Sequence, residues 1–415
     1  MISPYLHLKS RRLLTVVCTI LLTVAAIAQN VSEREVIAAR IQQLLADTMF
    51  QYSNVGLCVY DLTDRCEVIS YRDRQYMRPA SNQKMITAVS ALSILGNKYN
   101  YDTTLQTDSL IKGSHTLKGN LYVKGGFDPL FDNEDLQCFV NAVAALGIDT
   151  VMGKIVIDLS MKDSVSRGWG WCWDDDDKPL DPLQLSGKNN RHFVQQFQKM
   201  LRQKGIVLRN TSVAQGKAPK NAAWIATVTH SIDQILQPMM KQSDNNVAES
   251  LFYQIASNEQ SPKATRKDGA RAIKRLFDRL GIAERDANIA DGSGLSLYNY
   301  CTPRLLLTLL RYAHSQQKIY NSLYPSLPIA GIDGTLKKRM TGTTAQGNVH
   351  AKTGTVTGVS TLSGYCTTAE GHLLCFSIMN NGITKASEGR DFQDRVCVAM
   401  TTPVEQTQQT DEEAE

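Results

Sequence analysis

"RPASNQKMITAVSALSILG", Arg78 to Gly96, is the stretch whose reading decides the fold. Met85, Ile86, Val89, Leu92 and Leu95 recur at helical spacing, so an amphipathic helix is expected. Pro79 is excluded from a helix interior, and Ser81 is a favoured starting residue. Ser81 and Lys84 lie three apart and share one face of the first turn. The free N–H groups of that turn carry partial positive charge. A hydroxyl, an amine and exposed N–H groups in one turn can serve as nucleophile, base and oxyanion donor. A serine cap followed by a surface lysine is the plainer reading of this motif taken alone. Ser-x-x-Lys recurs at Ser109–Lys112 and Ser315–Lys318, but neither copy opens an apolar helix.

The chain has 415 residues, enough for two domains with sizeable cores. Lys9, Arg11 and Arg12 precede "LLTVVCTILLTVAAIA", which ends in Ala26-Ile27-Ala28. A basic start, a short apolar run and small residues describe a secretory signal over 1–28. Its removal takes three basic residues and no acid from a net charge of +5, leaving a mature chain near neutrality. There is then no basic excess for nucleic acid. The run is short for a membrane span, so an exported, periplasmic protein without a stable membrane anchor is expected. Eight cysteines remain after residue 28. Export permits disulfides, and the sequence leaves their pairing open. No Cys-x-x-Cys pair, His-Glu-x-x-His or Gly-x-Ser-x-Gly occurs, which argues against a metal hydrolase or an α/β-hydrolase elbow.

Along the chain, a first helix around "VSEREVIAARIQQLL" precedes paired strands "NVGLCVYDL" and "RCEVISYRD". From about Asn100 to "GKIVIDLS" the pattern is α+β. The irregular acidic loop "GWGWCWDDDDKPLDPLQL" follows, then mostly helix, then the strong strands "HAKTGTVTGVSTLSGY" and "HLLCFSIMN" and a last helix. The simplest architecture is one domain built from both ends of the chain, with a second inserted between them. The predicted boundaries are 29–98 with 226–402 for the first domain, 99–225 for the insert, and 403–415 for a polar tail.

Two later stretches change the reading of Ser81: Ser243-Asp244-Asn245 before a helix, and Lys352-Thr353-Gly354 inside a strand. In a strand, Gly354 marks a close approach of another backbone or a ligand. Ser-x-x-Lys, Ser-x-Asn and Lys-Thr-Gly in this order resemble the active-site set of penicillin-binding proteins and serine β-lactamases. "DGSGLSLYNY", "LPIAGIDGTLKKRM", "AKTGTVTGVSTLSGY" and "GGFDPLF" look like the signature stretches of class C low-molecular-mass penicillin-binding proteins, which are D-alanyl-D-alanine carboxypeptidases and endopeptidases.

The resemblance implies a mixed α/β fold: a β-lactamase/transpeptidase-like domain with an antiparallel sheet flanked by helices, plus an inserted α+β domain. It implies catalysis by Ser81, Lys84, Ser243, Asn245 and Lys352. Thr353, Gly354, Thr355, Ser293 and the acidic-loop residues Asp175, Asp176 and Trp173 are the expected substrate contacts. Peptidoglycan stem peptides and β-lactam antibiotics are the expected partners, with no metal or cofactor. Two departures stand out. The family usually has two nested inserts, and here "LSGKNN" runs almost directly into "RHFVQQF", as if the inner one were lost. Leu297 stands where an arginine is common. A β-lactamase or esterase on the same fold and a catalytically silent peptidoglycan-binding protein are the rival readings. Oligomeric state is not legible.

Overall fold

The computed structural model describes residues 32–46, 51–109, 113–175, 178–259 and 261–404. The expected signal over 1–28, most of the tail, Lys112 and Asp176 lie outside the described residues.

The chain begins with α1 (Glu33–Leu44), β1 (Asn54–Asp61), β2 (Cys66–Tyr71) and α2 (Gln83–Ile94). Then follow β3 (Asn100–Thr107), β4 (Thr116–Leu117), β5 (Leu121–Lys124), α3 (Asn133–Ala145), β6 (Thr150–Val151), β7 (Ile155–Asp158), α4 (Asn190–Gln203), β8 (Val207–Leu208), β9 (Val213–Gln215) and β10 (Ala223–Ser231). The remainder is α5 (Ile232–Gln237), α6 (Asn245–Ser257), α7 (Arg266–Arg279), β11 (Ala287–Asn288), β12 (Tyr300–Cys301), α8 (Pro303–Ser315), α9 (Gln317–Leu323), β13 (His350–Val356), β14 (Val359–Thr367), β15 (Leu373–Asn381) and α10 (Ala386–Thr401).

One five-stranded sheet, ordered β13-β14-β15-β1-β2, joins both ends of the chain, and every pairing in it is antiparallel. Alternation along its strands supplies two apolar faces. Val55, Leu57, Val59, Leu362, Phe376 and Ile378 pack beneath α1 and α10, against Ile37, Ile41, Phe392 and Val396. On the other face Cys58, Tyr365, Cys375 and Met379 meet the large helical core that includes α2, α6 and α8. Burial of both faces explains why these strands read as nearly continuous apolar runs. A second sheet, ordered β10-β3-β5-β7-β9, encloses its own core with Phe131, Phe139, Phe193 and Phe197. Here β10 pairs antiparallel with β3 along its length. The insert's sheet therefore runs to Ser231, past the expected edge at 225, which falls inside a strand.

Two local expectations change. α2 is buried at every position from Gln83 to Leu92, so it is a central helix and not an amphipathic surface one. Its polar residues Gln83, Lys84 and Thr87 face other protein groups. Ser81 does not cap it: Ala80–Asn82 form a short 3-10 turn before the helix, with no side-chain cap. All eight described cysteines are free thiols. No helix among the described residues is long and apolar enough to cross a membrane.

Phe376 is fully buried on the face of the sheet away from α2. Phe376→Ala is expected to cost about 3–5 kcal/mol of stability, read by urea unfolding, while the folded fraction keeps its activity.

Candidate active site

The turn carrying Ser81 lies against the edge strand β13, and Gly354 sets the distance. A Cβ there would stand 2.2 Å from Thr361 Oγ1 and 2.8 Å from the Pro79 carbonyl oxygen. The Thr361 hydroxyl donates to that same Pro79 oxygen at 2.9 Å. With its amide oriented to satisfy both ends, Asn82 donates to the Lys352 carbonyl at 2.8 Å and accepts from the Leu362 N–H at 3.2 Å. Thus the first motif is bolted to the third through backbone contacts.

Lys84 projects from the first turn of α2. Its Nζ lies 3.1 Å from Ser81 Oγ, 2.7 Å from Asn245 Oδ1 and 2.8 Å from the Ser293 carbonyl oxygen. Asn245 reaches it because Asp244 caps α6, accepting from the Val247 N–H at 3.1 Å. Ser243 sits just before that cap in a left-handed conformation, φ 64°. Its Oγ accepts from Lys352 Nζ at 2.9 Å, and the same ammonium reaches the Thr353 carbonyl at 2.8 Å. Both lysines are completely buried. Burial, and then the nearby charge of Lys84, hold the Lys352 pKa well below its ordinary 10.5.

Thr353 Oγ1 donates to Thr335 Oγ1 at 2.7 Å. At the start of β13 the Ala351 N–H points away from β14, to the Pro328 carbonyl at 2.9 Å. Strand alternation turns the Thr353 and Thr355 N–H groups the same way, toward the open edge. Thr355 is exposed there.

The structure gives Ser293 a different place from the expected substrate contact. It is fully buried, and its carbonyl is what meets Lys84. The acidic loop is also rearranged relative to expectation. Asp175 turns back to accept from the Cys172 N–H at 2.6 Å. Trp173 is 89% exposed, so it shields nothing. Trp171 is the anchored ring: its Nε1 donates to Asp291 Oδ2 at 2.9 Å. The Leu297 N–H donates to the Gly170 carbonyl at 3.1 Å, so this loop lies on the 291–299 segment. That segment in turn reaches the Ser81 turn. Gly294 has φ +88°, and a Cβ there would be 1.9 Å from the Ala80 oxygen.

Two further groups complete the surroundings, of which sequence reading missed Glu249. Asp291, fully buried, accepts from the Gly294 and Ser296 N–H groups and from Asn299 Nδ2 at 2.8, 2.6 and 2.6 Å, besides Trp171. Glu249, on α6, accepts from the Gly292 and Ser293 N–H groups at 3.0 and 2.8 Å. Burial and the adjacent Asp291 charge push the Glu249 carboxyl up to about 8. Its spacing four residues after Asn245 was the available signal. Among the described residues, Asp61–Asp64–His372 and Cys172–Asp174–Asp175 are the groups that could hold a cation, and neither includes a member of the Ser81 cluster.

The sequence model described as the D-Ala-D-Ala carboxypeptidase 3 (S13) family matches residues 37–186 and 179–402, and the chain belongs to that family. It is similar to the D-alanyl-D-alanine carboxypeptidase DacB of Haemophilus influenzae, 28% identical over 413 residues, covering 80% of this chain and 86% of the relative. The D-alanyl-D-alanine carboxypeptidase of Actinomadura sp. (strain R39) is also 28% identical, over 82% of this chain and 80% of its own. The crystal structure of Haemophilus influenzae penicillin binding protein 4 (dacB) superposes with a TM-score of 0.76 at 25% identity, covering 87% of this chain and 97% of that one. The fold is therefore the mixed α/β fold of penicillin-binding protein 4, with an antiparallel sheet between helices.

Glu249 ordinarily titrates near 4.5, so between there and about 8 the folded protein holds a proton that the unfolded chain has lost. The stability this group contributes is complete below about 4.5 and disappears as pH rises through about 8. The wild-type melting temperature, measured against that of Glu249→Gln, is expected to fall across this window. A constant difference between the two would contradict it.

Proposed function

We propose that this chain is an exported serine-type D-alanyl-D-alanine carboxypeptidase and endopeptidase, acting on peptidoglycan stem peptides through a Ser81 acyl-enzyme and inhibited by β-lactams. One observation carries the reading: the Lys84 amine lies 3.1 Å from the Ser81 hydroxyl while Lys352 holds Ser243 on the opposite side. Family membership and the structure of the Haemophilus relative complexed with a β-lactam support it.

Ser81 Oγ attacks the carbonyl of the penultimate D-alanine, and neutral Lys84 takes its proton. The N–H groups of Ser81 and Thr355 receive the oxyanion. One such donor is typically worth about 3–4 kcal/mol of barrier. Ser243, oriented by Lys352, relays the proton that Lys84 took to the departing D-alanine amine, which leaves Lys84 neutral again. Water then hydrolyses the ester, with Lys84 acting again as base. Lys352, with its charge close to the open edge of β13, and the Thr353 hydroxyl bind the terminal carboxylate. Asn245 divides its amide between Lys84 and the substrate backbone. Gly354 lets the Ser81 turn seat against β13, which puts the nucleophile beside the edge where the extended peptide lies. No cofactor takes part in these steps.

At the acidic loop, Asp174 is exposed and Asp175 is partly engaged by its own turn. The reading here is that Asp174 to Asp177 meet the ammonium of an uncrosslinked diaminopimelate side chain, with Trp171 excluding water beside it. Leu297 is 42% exposed and offers no cation for the carboxylate at the same end. An exposed pair of this kind contributes at most about 1 kcal/mol. Asp→Asn variants are expected to lose efficiency on a stem peptide with free diaminopimelate and to change little on its N-acetylated form. Equal losses on both would assign the loop a structural role.

The primary experiment is labelling of the mature protein with a fluorescent penicillin, followed by peptide mapping. The adduct is expected at Ser81 and absent from Ser81→Ala. Lys84→Arg retains a cation that cannot deprotonate near neutral pH, and should lower acylation by orders of magnitude with the fold intact. Adducts at Ser109 or Ser315 would refute the assignment. Recovery of the protein in membranes after a high-salt wash would refute the reading of an exported chain without a stable membrane anchor.

A further inference from the structure

Residues 291–293 form a strap pressed between α2 and α6. From one side, α2 donates to three successive carbonyls of the strap. Gln83 Nε2 reaches the Asp291 oxygen at 3.2 Å, Thr87 Oγ1 the Gly292 oxygen at 2.7 Å, and Lys84 Nζ the Ser293 oxygen at 2.8 Å. From the other side, Glu249 Oε1 accepts both N–H groups that the strap turns toward α6, at 3.0 and 2.8 Å. The strap touches α6 directly. A Cβ on Gly292 would lie 2.5 Å from Phe252 Cβ and 2.6 Å from the Ala248 oxygen. Nothing here is solvated: Gln83, Lys84, Thr87, Asp291, Ser293 and Glu249 are all at most 1% exposed.

The amine of Lys84 therefore depends on a carbonyl whose own peptide plane is held by Asp291, through the Gly294 N–H, and whose two preceding planes are held by Glu249. Asn245 and Glu249 stand four residues apart on one face of α6. Asn245 holds the amine directly. We propose that Glu249 is a positioning residue for Lys84: by accepting the Gly292 and Ser293 N–H groups it fixes the two peptide planes that lead into Ser293, and with Asp291 holding the Gly294 N–H at 2.8 Å this keeps the Ser293 carbonyl aimed at the amine, and so keeps the amine beside Ser81 Oγ. This rests on the reading of Ser81 and Lys84 as nucleophile and base. It adds a residue that touches neither the substrate nor Ser81. Two neutral N–H groups are what the carboxyl must satisfy, so an oxygen at that position is required and a negative charge is not. The carboxyl's neutral form, favoured by its burial beside Asp291, meets the same need.

Three full-length variants test this. For each, the second-order rate of acylation by a fluorescent penicillin and the melting temperature are measured. Non-covalent affinity for the same penicillin is measured in a Ser81→Ala background. Glu249→Gln keeps an oxygen for both N–H groups and is expected to acylate within about threefold of wild type. Glu249→Leu fills the space but leaves the strap unheld. Its acylation is expected to fall about 10²-fold, as for a reacting group displaced by about 1 Å, with non-covalent affinity essentially unchanged. Thr87→Val loosens the strap from the α2 side, with an expected loss of about threefold to tenfold. A folded Glu249→Leu protein that acylates at the wild-type rate overturns the proposal. So does an equal loss in the Gln and Leu variants, which would mean that the charge is what matters. If Glu249→Leu does not fold, Thr87→Val decides, and a wild-type rate there overturns it. A wild-type protein that is not acylated at Ser81 at all overturns the underlying reading of the site, and is told apart because every variant is then equally silent.

Discussion

Two lysines are buried side by side in this protein, and the rest of the catalytic architecture exists to make that tolerable. Removing one ammonium from water costs several kcal/mol, and a second cation nearby adds repulsion. The structure answers with oxygen dipoles. Lys84 is held by a hydroxyl, an amide and a peptide carbonyl, and Lys352 by a hydroxyl and a peptide carbonyl. A charge-assisted hydrogen bond is worth about 1.5–3 kcal/mol, so such a set offsets much of the desolvation without neutralising either amine with a nearby acid. The residual cost appears as the lowered pKa of Lys352. This is a useful state for an amine that must accept, relay or orient a proton near neutral pH.

The requirement for fixed dipoles explains why the site draws on so many parts of the chain. A carbonyl can hold an ammonium only if its peptide plane cannot rotate. The plane of the Ser293 carbonyl is fixed by Asp291 and the two planes before it by Glu249, and the Lys352 strand is fixed by the sheet and by Asn82. The Ser243 hydroxyl is presented by a residue in the left-handed region, kept there by the π-turn before it and the capped helix after it. Each device is local, but the three meet only because the two ends of the chain share one sheet and the helices of the middle pack on its inner face.

The three motifs proposed to carry the chemistry were legible in the sequence because they are short and ordered, and because each needs a particular residue type. Gly354 could be read as a close approach before its neighbours were known. The central burial of α2 could not be read. Its polar positions Gln83, Lys84 and Thr87 have the spacing of a solvent face, and only the strap explains why they are inside. Ser293 is singled out in the sequence as a substrate contact, and in the structure it is its carbonyl, which every residue has, that meets Lys84. Residue type carries no signal for such a role. The pairing of β10 with β3 was hidden for a related reason: the residues of "AAWIATVTHS" alternate without showing which sheet they join.

Asp291 shows how the same economy extends outward. Its carboxylate gathers two backbone N–H groups, the Asn299 amide and the Trp171 indole, so the segment after the strap and the aromatic loop are anchored on one pair of oxygens. The loop that carries the acidic run is therefore tied to the element that positions Lys84. The tie passes through a single buried side chain, from Trp171 to Asp291 and then along the backbone to Ser293. An interaction that pulled on Trp171 would be felt first by Asp291, whose charge adds to burial in raising the Glu249 carboxyl. The aromatic loop and the placement of the Lys84 amine thus share one buried side chain.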